Sequence, residues 1–499
     1  MPRRPVSLHA QRDAVAAAEI AAAIDALLED KGEEVPLEFP AEVLAAAEAA
    51  AAAQLREEGR VDLTDLPFVT LDPASSTDLD QAMLLERDGE GFRVRYAIAD
   101  VPAFVQLNDP IDQEARRRGT TVYLPDRRIP LHPPVLSEGR ASLLPDQVAP
   151  AFVWTMSLDA AGAVTAVDLE RALVRSTQKL AYDEVQREID AGTPHPMMAL
   201  LLEIGQLRAQ QEEQRGGASL NVPEQEVVVE DEHVRLTWRS PAPIEDANAH
   251  VSLMTGMAAA DLMLAKGVGI LRTMPPAEPR AVTRFRHQSR VLGIPWEKDV
   301  PYGEFLRSLD WREGTHLALL NHAASLFRGA SYAAFTTPEE IPEHPAQAAI
   351  AAPYAHTTAP LRRLVDRFVL LVCHAHARDE QPSSALVEAL RVIPEAMAST
   401  AGRAGVLERE ARALVECAAL QHRVGEEFTG TVIERREASV AKDGSEGAPT
   451  RVEVQLLEPP MTAWVPMDAQ PGQEVRVRLD RVDTAARRSV FLPAAQSGA

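Results

Sequence analysis

Cysteine is nearly absent. Among 499 residues only Cys373 and Cys417 occur, which excludes a disulfide framework and fits a reducing compartment. No apolar run approaches the roughly 18 residues that a membrane span requires. The opening MPRRPVSLHAQRD has basic residues but no apolar segment behind them, unlike a secretory signal. The expectation is a cytoplasmic protein that enters no membrane. Several catalytic templates are also missing: the Walker loop, His-Glu-x-x-His, the Gly-x-Ser-x-Gly elbow and paired Cys-x-x-Cys. The stretch CHAHA at 373–377 offers zinc-ligand residue types, but it continues a helix at the wrong ligand spacing. No internal repeat is visible.

An excess of positive charge is lacking too. The net charge of −23 argues against nucleic-acid binding over the whole surface. Arginines nevertheless gather in EPRAVTRFRHQSR (278–290), APLRRLVDRF (359–368) and VRVRLDRVDTAARR (475–488). Basic paths inside an acidic exterior and an ordinary solvated mixed-charge surface both satisfy that pattern. With 46% hydrophobic and 25% charged residues, the balance is that of a soluble globular protein, too long for one core.

Along the chain, AQRDAVAAAEIAAAIDALLEDK (10–31) places Ile20, Ile24, Leu27 and Leu28 on one helical stripe. FPAEVLAAAEAAAAAQLREEG predicts a second helix, opened by Pro40 and stopped by Gly59. This lead could be a helix-turn-helix or winged-helix-like unit, or a brace on the main domain. From Phe68 the runs FVTLD, AMLLE, FRVRYAIADV and FVWTMSLD read as strands, with a turn at RDGEG. Helices are expected over Tyr182–Arg215, Ile244–Leu271, Tyr302–Arg328, Ala359–His376 and Ser384–His422. After Val424, about five short strands separated by KDGSEGAPT and AQPGQ suggest an OB-fold. The fold class is α+β: a helical element at 1–38, a mixed catalytic domain at 39–423 and an all-β OB-fold at 424–499.

The stretch with chemistry in it is TLDPASSTDLDQA (70–82). Residues two apart in extended chain face one way, so Asp78 and Asp80 present carboxylates together. The small residues PASST let the chain fold back toward Asp72. Clustered carboxylates repel unless cations neutralise them, and hard oxygen ligands suit Mg²⁺ or Mn²⁺. A capped turn with solvated acids is the competing reading.

This loop resembles the RNB exoribonuclease family, the ribonuclease II and ribonuclease R group, whose motif runs Thr-Ile-Asp-x-x-x-x-x-Asp-x-Asp-Asp-Ala. The resemblance continues through YAIADVPAFV, EARRRGTTVYLPDRRIPLHPPVLSEGRASLLPD, STQKLAYDEV, RGGASLNVPEQEV and PYAHTTAPLRRLVDRFVLLVCH. It implies an RNB catalytic domain with a C-terminal OB-fold. The implied activity is 3′-to-5′ hydrolysis of single-stranded RNA to nucleoside 5′-monophosphates at a two-metal Mg²⁺ site, Mn²⁺ being the alternative. By the resemblance Asp72, Asp78 and Asp80 are metal-binding, Asp80, Gln81 and Arg362 catalytic. Tyr123, Tyr182, Leu220, Glu245 (or Asp246) and Arg363 are RNA contacts. Single-stranded RNA is the implied partner, with no obligate protein partner and a monomer expected.

Four positions depart from the family pattern. Gln81 stands where the fourth acid would be, Leu220 near an expected aromatic, Ala359 at the motif serine and Leu364 at its tyrosine. Relatives carry two cold-shock domains where residues 1–38 lie. A glutamine can ligate Mg²⁺ or orient water but cannot act as a base. An RNA-binding relative with weakened catalysis is therefore the rival reading. A metal-dependent enzyme acting on a small phosphoester is a third, and the OB-like tail argues against it.

Overall fold

The structure, a computed structural model, describes residues 8–9, 15–32, 35–218, 220, 222–230, 233–438 and 449–494. Helix α1 (Val15–Lys31) buries the expected stripe of Ile20, Ile24, Leu27 and Leu28. The start of the expected helix, residues 10–14, lies outside the described residues. The stripe packs on Val227, Val234, Leu236, Leu407, Ala411 and Leu414, so α1 shares its core with much later segments. Lys31 adds an ion pair to Glu410 at 2.8 Å. Helix α2 (Ala41–Ala52) begins behind Pro40 but stops well before Gly59. Strand pairing accounts for the difference, because Val61 is already in register with Ala172 and the chain needs the intervening residues to turn.

Five strands then close a barrel: β1 (Val61–Asp72), β2 (Gln81–Asp88), β3 (Gly91–Ala99), β4 (Val148–Leu158) and β5 (Val164–Ala181). Strand β1 runs parallel to β5, from Val61↔Ala172 to Asp72↔Ala181, and antiparallel to β2 at Val69↔Met83. The turn from β2 to β3 puts Gly89 at φ +61°, a conformation that suits a tight hairpin and costs glycine nothing. Phe68, Phe92, Tyr96, Phe152 and Trp154 are fully buried. The four strand runs expected between Phe68 and Asp159 all lie in this barrel. Strand β5 and the early start of β1 were not expected.

Around the barrel lie α3 (Pro110–Arg118), α4 (Tyr182–Asp190) and α5 (Pro196–Arg215). Next come the hairpin β6 (Glu224–Glu230) and β7 (His233–Arg239) and then α6 (Pro243–Lys266). The expected helix 182–215 is thus two helices, broken where Gly192 takes φ +74°. The helix expected to reach Leu271 ends at Lys266, capped by left-handed Gly267. Leu271 lies instead in β8 (Gly269–Thr273). Helix α7 (Pro279–Val291) follows, and the expected helix 302–328 divides into α8 (Tyr302–Arg307) and α9 (Gly314–Ala323). Strand β9 (Ser331–Phe335) pairs with β8.

Helix α10 (Leu364–Ala377) starts five positions later than expected from Ala359, because 359–363 form a loop that belongs to the site. Cys373 and His376 are buried in α10, His376 on the Val268 carbonyl. The long helix α11 (Ser384–Leu420) accommodates Pro394 in its interior. The tail forms β10 (Glu427–Arg436), β11 (Arg451–Leu456), β12 (Met461–Val465), β13 (Glu474–Asp483) and β14 (Arg488–Pro493). Their order is β12-β11-β10-β13-β14, around a separate core that includes Val432, Val454, Leu456, Val477 and Phe491. Most of the KDGSEGAPT turn, through residue 448, lies outside the described residues. No helix among the described residues is long and apolar enough to cross a membrane.

Beneath α10, Asp112 is fully buried and pairs with Arg367 and with Arg116. His132 lies in the same interior, 1% exposed. Burial, with Arg367 beside it, holds its imidazole down to a pKa of about 3. Because the folded state disfavours the protonated ring, stability from this group is full above pH ~6.5 and is lost as pH falls through the window down to about 3. The expected loss is up to about 1.4 kcal/mol per pH unit. A His132→Leu variant should show a shallower fall of melting temperature between pH 7 and pH 4. An identical slope would remove His132 as its source.

Candidate active site

The acidic loop joins β1 to β2, so barrel closure fixes both of its ends. Its middle is held by side chains distant in sequence. Lys179 on β5 donates to the Ala74 and Ser76 carbonyls at 2.7 and 2.6 Å. Ser142 accepts from Leu79 N at 2.9 Å and donates to the Thr77 carbonyl at 2.8 Å. Arg128 donates to Asp78 and to Thr77, and pairs with Glu138 at 2.8 Å.

Asp80 is 4% exposed. Its Oδ1 accepts from Leu361 N at 2.8 Å, and its Oδ2 lies 3.3 Å from Arg362 Nε. Burial drives its carboxyl well above the ordinary carboxylate range, and Asp78 adds to that rise against the pull of Arg362. Asp72, in register with Ala181 at the end of β5, acts electrostatically on both Tyr96 and Arg362.

The arginine loop is pinned along its length. The Arg362 carbonyl accepts from Thr121 N at 2.9 Å and Thr120 Oγ1 at 3.0 Å. Asp366 accepts from Ala359 N at 2.7 Å and grips both arms of the Arg363 guanidinium. Thr358 Oγ1 meets Ser252 Oγ at 2.8 Å. The Arg362 side chain stays 45% exposed, so its fork remains open to a solution anion.

The expected RNA contacts have different fates. Tyr123 lies opposite Arg128 in a short hairpin whose two strands, Val122–Tyr123 and Arg128–Ile129, have two residues each. Burial raises its hydroxyl pKa, and Arg362, Asp78 and Asp80 all act on it. It belongs to the site. Tyr182 directly follows the β5 end that flanks Asp72; its hydroxyl accepts from Asn248 Nδ2 at 2.7 Å. Glu245 closes the first turn of α6 by accepting from Ala242 N at 3.2 Å, and it also takes Arg239. Arg363 is occupied by Asp366. Leu220 packs into an apolar cluster that includes Phe285, Phe305 and Trp296.

Two residues change the reading of the motif. The Gln81 amide, expected as a metal or water contact, donates from Nε2 to the Thr358 carbonyl at 2.6 Å. Its Oε1 accepts the hydroxyl of Tyr96. Tyr96 is fully buried in β3, and burial raises its pKa, with Tyr182, Asp72 and Asp80 contributing. Sequence reasoning missed it, although one hydroxyl in the otherwise apolar run YAIA was a signal. Arg128, Ser142, Lys179 and Thr358 were missed with it.

The RNB domain family matches residues 60–379. The chain belongs to the RNB family. The RNase II-type exonuclease C-terminal S1 domain matches residues 426–494 behind it. The RNB chain is 31% identical to Ribonuclease R of Escherichia coli (strain K12) over 329 residues, 62% of this chain and 39% of that protein. It therefore spans well under two thirds of the length of that relative. In fold it is similar to Mycoplasma genitalium RNase R in complex with ribose methylated single-stranded RNA, with TM-score 0.82 and 20% identity. That alignment covers 95% of this chain and 78% of the other. Yeast Ssd1, a pseudonuclease, matches with TM-score 0.69 and 16% identity, covering 93% of this chain and 59% of its own.

As arranged, the three aspartates are not a finished cation cage. Among the described residues no group of three or more His, Cys, Asp or Glu is placed to hold a metal ion. Arg128 and Arg362 divide the acids between them, Asp78 going to one and Asp80 to the other. The donor chemistry still fits a hard divalent cation. These are oxygen ligands on a fixed loop, and burial, with Asp78 adding to it, raises the Asp80 carboxyl pKa, a rise that a bound cation would oppose.

Proposed function

We propose that this protein is a 3′-to-5′ exoribonuclease that hydrolyses single-stranded RNA to nucleoside 5′-monophosphates. The observation that carries this reading is the meeting of Asp80 with Arg362, brought together across the chain at 3.3 Å. A buried carboxylate next to an open guanidinium fork suits a phosphodiester, whose oxygens need a planar cation while its phosphorus is attacked. Asp72, Asp78 and Asp80 would hold Mg²⁺, or Mn²⁺ in its place. Paired ions would supply an activated water and stabilise the leaving 3′-oxygen.

The chain's own residues do the positioning. Arg362 steadies the phosphate, with its backbone fixed by Thr120 and Thr121. Tyr123 offers a ring for base stacking, which tolerates any sequence. Arg363 and Glu245 brace the arginine loop and α6 from the edge of the proposed RNA path. The division into 1–38, 39–423 and 424–499, a monomer and a cytoplasmic location belong to the same proposal. In it, the arginines of the tail help to hold the RNA.

A second reading is favoured by one specific observation. The Gln81 amide is engaged by Tyr96 and Thr358, so position 81 supplies no acid to the cation site, and the protein would bind RNA with little turnover. Incubation with 5′-labelled single-stranded RNA and Mg²⁺ separates the two. A ladder of labelled strands shortening from the 3′ end, with unlabelled nucleoside 5′-monophosphates released, is expected. A stable complex without shortening establishes the second reading.

A further inference from the structure

Position 81 is where the motif departs from the family, and the structure shows what the substitution builds. The Thr358 carbonyl can only accept, so the amide nitrogen of Gln81 must face it. That leaves Oε1, which can only accept, toward the Tyr96 hydroxyl. The assignment has no freedom, since a flipped amide would set oxygen against oxygen at 2.6 Å. Gln81 and Tyr96 are diagonal neighbours on adjacent strands, because Gln81 is in register with Ile98 and Met83 with Tyr96. Side chains so placed share a face of the sheet and can touch.

We infer that Gln81 is a positioning residue: with Tyr96 it forms a strut between the barrel wall and the arginine loop, and it is not a metal ligand. The inference rests on the reading of this site as a nuclease centre. Asp80 and Gln81, adjacent in sequence, reach the same loop at different points, Asp80 at Leu361 N and Gln81 at the Thr358 carbonyl. One anchor accepts and the other donates, so together they fix the approach and orientation of residues 358–361, ahead of Arg362. A carboxylate at 81 could make only one half of this bridge, because it would point an acceptor at an acceptor. The carboxamide is therefore what a bridge from the Tyr96 hydroxyl to the Thr358 carbonyl requires, because only its nitrogen can donate to that carbonyl. Tyr96 is fully buried in β3, which gives the strut a rigid footing.

The test uses the full chain with Gln81→Met, Tyr96→Phe and the double variant. Hydrogen exchange of the backbone across 357–363 is measured without RNA. Mn²⁺ binding is followed by titration calorimetry, and RNA cleavage in single turnover. The strut predicts that Gln81→Met and Tyr96→Phe each speed exchange in that loop at least fivefold and slow cleavage roughly 10- to 30-fold. The double variant should be no worse than the poorer single one, because both remove the same link. Mn²⁺ affinity should change far less than cleavage, because neither variant removes a carboxylate. A tenfold loss of Mn²⁺ affinity in Gln81→Met with Tyr96→Phe unaffected would overturn the inference and make Gln81 a ligand. Unchanged exchange in both single variants, or fully additive effects, would overturn it as well. Tyr96→Phe keeps the ring and its packing, so it guards against simple misfolding of the Gln81 variant. If the wild-type protein cleaves no RNA, the nuclease reading fails while the exchange data still decide the strut.

Discussion

Replacing Asp80 with asparagine is expected to abolish most turnover and leave the fold intact, at least as heat-resistant as wild type. The two effects have one cause. Burial raises the carboxyl pKa well above its ordinary value, so the folded protein disfavours the ionised form at neutral pH. The sign follows from linkage: an acid with a raised folded pKa stabilises the protein more as pH falls and less as it rises. Asparagine removes that burden, and its oxygen still accepts from Leu361 N, a contact of 2.8 Å in the wild type. What it loses is the charge required by a cation or a phosphate, and a loss of several kcal/mol of transition-state stabilisation corresponds to roughly 100- to 1000-fold in rate. Melting curves in chelator and single-turnover cleavage on the same preparation check both halves. Lower melting together with near-normal cleavage would remove Asp80 from the site.

Arg362→Lys should slow cleavage by roughly 100-fold although the positive charge is kept. An ammonium has no planar fork, so it cannot hold two phosphate oxygens at once. It can still sit near Asp80, so RNA affinity should change only a few-fold. The effect belongs in the chemical step and should appear in single-turnover rates at saturating protein. Collapse of binding with an untouched chemical step would make Arg362 part of the RNA path.

Much of this was legible in the chain before any coordinates. The aspartates stand together in sequence because β1 and β2 are consecutive strands and the loop between them is short. The barrel strands before Asp159 were visible as apolar runs, and so was the separate β-rich tail. Strands β6 and β7 were visible as alternation in EQEVVVE and HVRLTWR but passed over. Arg362 was found only through the resemblance of its motif, since nothing local distinguishes it from Arg363. The structure separates them by giving Arg363 to Asp366.

The rest was hidden because its meaning lies in long-range contacts. Arg128 meets Asp78 over 50 positions and Gln81 meets Thr358 over 277. No window of sequence contains either pair. The helix limits failed for a related reason: pairing of Val61 with Ala172 and of Leu271 with Ala333 overrides local propensity.

The separation of Asp80 from Leu361, 281 positions, also has a meaning in time. At translation speeds of about 5–20 residues per second, the acidic loop leaves the ribosome roughly 15–55 s before the arginine loop is made. During that interval a nascent chain carries acids without the guanidinium that completes them. Each nascent copy therefore lacks a complete centre until its own arginine loop has emerged, and the order of synthesis delays whatever chemistry that copy performs.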